Sequence, residues 1–176
     1  VIEEIDWSVG QLIAALERND VLDNTILVFT TDNGPWLPFK ENGGTAGLLR
    51  GGKGSNWEGG QRVPFVAQWP ARIPPGSIVR DVVAAMDLLP TIANVTGAAL
   101  PDAQIDGLDM TEVLTGEHVG KPVRPEFLYY SANGDLAGVR YGAWKLLLEK
   151  NQLFHLGHDP REKWNIAEKH PGMVTE

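Results

Sequence analysis

Ile2, Ile5, Val9, Leu12, Ile13 and Leu16 recur at intervals of three and four, the spacing of one face of a helix, and predict an amphipathic helix over residues 2–18. Asn19-Asp20 and Asp23-Asn24 close it. Residues 25–31 then form a short, β-branched and nearly continuous apolar run, the pattern of a strand buried on both faces of an α/β sheet. From 32 to 60 the periodicity vanishes and Gly, Asn and Pro accumulate. A loop of that length inside a compact domain is usually functional or disordered. It follows a strand tip, where the ligands of open α/β sheets collect. Residues 63–69 read as a second buried strand, closed by Pro70.

Further along, residues 87–95 predict a helix with Asp87 as its cap, Pro90 in the tolerated first turn and Gly97 as its stop. A short helix is expected over 109–114, ending at Gly116, and a linker over 117–125. The pattern then changes. Strand-like runs at 127–130, 136–141, 144–149 and 152–156 are separated by Asn133-Gly134, Tyr141-Gly142 and Lys150-Asn151, which are hairpin turn signals, so a small antiparallel meander is expected. Asp159-Pro160 turns into a last helical segment over 161–169. The whole reads as a layered α/β portion followed by a small β subdomain.

Composition narrows the functions open to such a chain. The 176 residues are 43% hydrophobic and 22% charged, enough for one domain with a core, and no apolar run approaches the roughly 20 residues of a membrane helix. A net charge of −8 with fifteen scattered Lys and Arg argues against a nucleic-acid partner. An anionic substrate would therefore need a local positive site. Without Cys there is no disulfide framework, no thiolate metal site and no thiol nucleophile. The chain opens on Val1-Ile2-Glu3 with no leader pattern and closes on Thr175-Glu176 with no stop signature, so both ends read as cuts.

Two constellations carry chemistry. Asp32-Asn33-Gly34 puts a carboxylate and a carboxamide at a strand tip, two oxygen donors suited to a hard cation such as calcium or magnesium; the same three residues also make an ordinary turn. Arg50-Gly51-Gly52-Lys53-Gly54 lets backbone N–H groups approach a ligand and adds a compact ammonium that matches a tetrahedral oxyanion. Its spacing is not that of a nucleotide phosphate loop, and a flexible linker with an incidental Lys has the same composition. Glu58 and Arg62 read as braces of this loop. Trp36 and Trp57 could line a pocket, and His118, His155, His158 and His170 read as surface or hydrogen-bonded groups without ligand spacing.

Asp32, Asn33 and Lys53 stand in a longer pattern that resembles the sulfatase family, arylsulfatase-like members of the alkaline phosphatase superfamily. Residues 6–16 and 24–34 resemble the family's helix and strand leading to paired Asp-Asn metal ligands. Arg50 to Lys53 with Glu58-Gly59-Gly60 and Arg62-Val63-Pro64 resembles its sulfate-lysine loop. Asp87-Leu88-Leu89-Pro90-Thr91, Asp106-Gly107, Val139-Arg140, Trp144-Lys145 and Leu153-Phe154 through Asp159-Pro160 to Asn165 resemble later landmarks in order. The resemblance covers nearly the whole chain.

It implies an α/β fold: residues 1–122 as the carboxyl-terminal part of an alkaline-phosphatase-like mixed-sheet catalytic domain, and 123–176 as a small antiparallel subdomain with a terminal helix. It implies that Asp32 and Asn33 are ligands of one divalent cation, usually calcium, and that Lys53 contacts sulfate oxygens as catalytic and substrate-binding residue. The family's formylglycine arises from a Cys or Ser in a Cys/Ser-x-Pro/Ala-x-Arg segment. Neither that segment, the paired upstream Asp ligands nor the preceding His is present, so they are expected on an upstream segment and the fragment alone is expected to be inactive. The resemblance implies a sulfate ester or sulfated glycan as substrate and suggests a periplasmic or extracellular place, while the residues themselves leave the compartment open. Phosphonate monoester or phosphodiester hydrolysis, or a degenerate binding domain, are the other readings. Sheet edges exposed in such a fragment predict self-association.

Overall fold

The computed structural model describes residues 1–120 and 122–175. Lys121, within the expected linker, and the terminal Glu176 lie outside the described residues. In chain order the regular elements are α1 (Ile2–Arg18), β1 (Leu27–Thr30), α2 (Glu58–Gln61), β2 (Phe65–Gln68), α3 (Leu88–Thr96), α4 (Thr111–Thr115), β3 (Glu126–Tyr130), β4 (Leu136–Tyr141), β5 (Trp144–Leu147), β6 (Gln152–His155) and α5 (Gly172–Thr175). They fall into two compact units, each built from two stretches of chain: residues 1–29 with 65–120, and residues 30–64 with 121–176.

In the first unit α1 forms over the residues its periodicity marks out, with Glu3 and Glu4 in the first turn and Arg18 in the last, where they complement the helix dipole. None of its residues is buried. The β1–β2 ribbon corrects the expectation of strands buried on both faces. Its residues are half-buried or exposed, with Phe29 and Val66 open to solvent, in a sheet of only two strands. Helix α3 ends at Gly97, whose φ of 71° is the left-handed cap geometry glycine adopts freely. Asp87 does not cap it through its side chain. That carboxylate accepts instead from the Ala84 and Leu108 amides, tying the helix start to the segment that leads into α4.

The second unit is centred on the meander, a four-stranded antiparallel sheet in the order β3-β4-β5-β6. Cross-strand partners fix which side chains share a face. Phe127, Arg140, Lys145 and Phe154 align in register, and Tyr129, two residues along β3, shares that face. Leu147, Phe154 and Leu156 form a buried cluster with Trp57 packed on it. The opposite face carries Leu146 and Leu153, which cluster with Ala167 against Ile166, Met173 and Val174. The sheet is thus covered on one side by the 50–62 region and on the other by the chain's last stretch.

The expected helix over 161–169 does not form. Asp159 Oδ2 accepts from the Lys163 and Trp164 amides and so holds a tight turn. Glu162 sits at φ 51°, outside right-handed helix space. Asn165 Oδ1 takes the Leu153 and Ala167 amides. Side-chain acceptors thus satisfy the backbone that a helix would otherwise pair. Only a 3₁₀ turn at Ala167–Lys169 and the short α5 remain.

Candidate functional site

β1 ends at Thr30, where the hydroxyl donates to Pro64 O at 2.9 Å. Asp32 and Asn33 follow immediately. They line a cavity of about 590 Å³ together with Lys53, Arg62 and Trp36. All three site residues expected from the sequence therefore reach one cavity, and all belong to the second unit. Arg62, exposed to solvent, belongs to the same wall, and its backbone N–H donates to Glu58 O at 2.7 Å. Trp57 does not line the cavity. Its ring packs on Phe154 at 5.7 Å between centroids and under the Arg50 guanidinium at 3.6 Å.

Two backbone hydrogen bonds join the Asp32-Asn33 arm to the lysine loop. Gly34 N donates to Gly60 O at 3.0 Å and Lys53 N donates to Pro35 O at 2.9 Å. The approach needs glycine. A Cβ at Gly34 would lie 1.8 Å from Gly59 O, and one at Gly52 would lie 2.4 Å from Pro35 O. The loop is closed on itself by Gly59 N donating to Arg50 O at 2.7 Å and by Ser55 Oγ donating to Gly52 O at 2.7 Å. It is therefore an ordered cradle and not a flexible linker.

Lys53 is an exposed residue, with its Nζ 5.8 Å from the centre of the Trp36 ring. The charged side chains of the cavity wall are Asp32, Lys53 and Arg62, one anionic and two cationic, which favours an anion in a protein of net charge −8. Asp32 and Asn33 offer only oxygen donors, the chemistry that a hard cation prefers. They fit such an ion as part of its shell: calcium takes six to eight oxygens, and no group of three or more His, Cys, Asp or Glu able to hold a metal occurs among the described residues.

The family profile described as Sulfatase matches residues 1–98, and that described as N-sulphoglucosamine sulphohydrolase, C-terminal, matches residues 53–174. The chain belongs to the sulfatase family. It is 40% identical over 154 residues to the steryl-sulfatase of Mus musculus, covering 82% of this chain and 24% of that protein. It is also 40% identical over 146 residues to arylsulfatase A of Homo sapiens, covering 81% and 28%. Among solved structures, PsFucS1 sulfatase from Pseudoalteromonas sp. superimposes with a TM-score of 0.87 at 27% identity, over 98% of this chain and 39% of that one. The chain thus spans well under half the length of these relatives. The family membership implies a metal ion, and the α/β fold agrees with its structural neighbours.

Behind the lysine loop lies a buried charge cluster that sequence reasoning missed. Lys145 is wholly buried, with its Nζ 2.9 Å from Glu58 Oε1 and 2.7 Å from Glu162 Oε1. Arg140 Nη1 stands 3.5 Å from Glu58 Oε2, and the Tyr129 hydroxyl donates to Glu58 Oε1 at 3.3 Å. Two cations face two carboxylates, so the cluster is balanced when all are ionised. Burial, reinforced by the Glu58 carboxylate, pushes the Tyr129 phenol far above its ordinary range, which keeps it protonated as a donor. Burial also raises the Glu162 carboxyl above the usual range, a rise that the hydrogen bonds from Lys145 and the Glu58 amide oppose. Glu58 is the brace expected from the sequence. Its partners were hidden, although a Lys inside the apolar run Trp144-Lys145-Leu146-Leu147 is a signal that it faces something other than water.

His155 and His158 stack at 4.4 Å between centroids, and Trp144 makes edge contacts with His155 and His170. These residues lie apart from the cavity that holds Lys53.

Proposed function

We propose that this chain supplies the metal pair and the sulfate-binding lysine of an arylsulfatase-like sulfuric ester hydrolase. The observation that carries the reading is the stitching of Asp32-Asn33 to the Lys53 loop by two backbone bonds around one cavity. Asp32 and Asn33 would hold the cation, calcium by resemblance, with magnesium the second choice. When bound, that cation would supply Lewis-acid stabilisation of negative charge on the ester. Lys53 would bind the sulfate oxygens by charge and hydrogen bonding and stabilise the charge that grows on them as the S–O bond breaks, acting both on substrate and in catalysis. Arg62 would add to the positive field.

No Cys is present and no Ser stands in the Cys/Ser-x-Pro/Ala-x-Arg pattern, so the formylglycine nucleophile would come from residues outside this sequence. The chain alone is expected not to turn over. The substrate would be a small sulfate ester or a sulfated glycan. No helix among the described residues is long and apolar enough to cross a membrane. Residues 1–122 would complete the catalytic domain and 123–176 the small subdomain. Exposed Phe29 and Val66 on the ribbon favour self-association, which a strictly monomeric mass in light scattering at all concentrations would refute.

The deciding experiment joins these residues to a nucleophile-bearing segment and measures release of sulfate from an aryl sulfate with and without calcium. Calcium-dependent release, lost in Lys53→Ala and Asn33→Ala, supports the reading. Cleavage of phosphonate or phosphodiester substrates alone would transfer the chain to the other hydrolase class. Neither activity, with sulfate still bound, would make it a binding domain.

A further inference from the structure

We propose that Glu162, which lies outside the cavity, is the positioning residue of the lysine loop, pinning both ends of residues 50–59 so that Lys53 is presented to its anion. The proposal rests on the reading of Lys53 as the oxyanion lysine and adds the element that orients it.

Three contacts converge on this residue. Its carbonyl oxygen accepts from Arg50 Nη1 at 2.7 Å, its Oε2 accepts from the Glu58 amide at 2.6 Å, and its Oε1 lies 2.7 Å from Lys145 Nζ. Arg50 and Glu58 flank Lys53, and Arg50 O accepts from Gly59 N, so the two hydrogen bonds grip the loop at its neck. The partners are 112 and 104 residues away in sequence. Lys145, set in β5 of the meander, fixes the third corner.

Glu162 is also the one residue of this neck held at φ 51° while wholly buried. A non-glycine residue keeps that backbone conformation only where its surroundings over-determine it. Those surroundings are visible: Asp159 Oδ2 holds the next two amides, and Glu162 N donates to Asp159 O at 3.1 Å. The turn that replaced the expected helix thus exists to aim one carboxylate and one carbonyl at the loop. Neither Glu162, Lys145 nor Glu58 lines the cavity, so their influence on an anion passes through the loop backbone.

The test compares the unmodified chain with Glu162→Ala, Glu162→Gln, Arg50→Met and Lys53→Ala. Amide hydrogen exchange is followed at Lys53 and Gly59 in the loop and at Val139 and Leu146 in the meander, together with affinity for inorganic sulfate. In Glu162→Ala the loop amides should exchange about tenfold faster or more, with the meander amides unchanged, and sulfate affinity should fall with the Lys53 side chain intact. Glu162→Gln, which keeps an acceptor for the Glu58 amide, should recover much of both. Arg50→Met removes one pin and leaves the buried charges whole, so it reports even where Glu162→Ala does not fold, and its loop amides should also speed up. Loop protection equal to the unmodified chain in Glu162→Ala and Arg50→Met overturns the proposal. So does loop and meander protection lost together, which would make Glu162 merely structural. Absence of sulfate binding in the unmodified chain, or binding unchanged in Lys53→Ala, overturns the oxyanion reading instead, while the amides still decide the positioning.

Discussion

Replacing Gly34 by alanine should separate the Asp32-Asn33 arm from the Lys53 loop without deleting any functional group. The added Cβ would stand 1.8 Å from Gly59 O, 2.8 Å from Gly59 C and 3.1 Å from Gly60 Cα. Ordinary contact between such atoms is about 3.5 Å, so the two backbones must part by roughly 1.5 Å. That movement breaks the 3.0 Å bond from Gly34 N to Gly60 O and strains the one from Lys53 N to Pro35 O. Overpacking of this kind costs about 1–3 kcal/mol of stability, and a lost backbone hydrogen bond about 1 kcal/mol more. The functional loss should be larger. Misplacing a reacting constellation by about 1 Å costs on the order of 100-fold in rate, and disturbing the support of metal ligands costs about 10–100-fold in affinity. Calorimetric titration of the chain with sulfate, with and without calcium, should therefore show binding at least tenfold weaker than in the unmodified chain. Urea unfolding monitored in parallel separates this from collapse of the unit. Sulfate affinity within twofold of the unmodified chain would refute the claim that close backbone contact at Gly34 holds the site together.

Lys145→Met leaves Glu58 and Glu162 buried with one cation fewer, and such broken buried pairs lose about 3–5 kcal/mol, so a urea midpoint close to that of the unmodified chain would contradict the balanced cluster. Because burial raises the Glu162 carboxyl, its proton is held more tightly in the folded chain. The stabilisation is therefore fully present below the ordinary carboxyl range and fades as pH rises through the raised value. Stability of Glu162→Gln relative to the unmodified chain, read by urea unfolding at successive pH values, should accordingly improve as pH is raised from 4 towards neutrality; a constant difference would show that this carboxyl does not titrate abnormally. Gly10 lies within α1 with nothing inside 4 Å of an added Cβ, so Gly10→Ala should stabilise by about 0.5–1 kcal/mol in thermal unfolding, and a loss would mean that this face is in contact.

What the amino-acid order determined by itself is what repeats locally. The three-and-four spacing from Ile2 to Leu16 marks α1, and the turn signals Asn133-Gly134 and Tyr141-Gly142 bracket β4, because a helical period and a hairpin turn are each written within a few residues. Asp32, Asn33 and Lys53 stood out as candidates for a related reason, since a donor pair at a strand tip and a lysine among glycines are compact local signals, sharpened by resemblance, and the three line one cavity. The tertiary structure decided which of these groups meet and what holds them. Trp57 packs on Phe154 outside the cavity, whereas Arg62 is part of the cavity wall. The expected helix over 161–169 became a turn because the side-chain acceptors Asp159 and Asn165, the bond from Ile166 N to Leu153 O and the buried pairing of Glu162 with Lys145 outweighed local helical preference. Glu162 and Lys145 could not be read as partners of the 50–59 loop from spacing, since buried charges find one another across about a hundred residues of chain and no local period encodes that meeting.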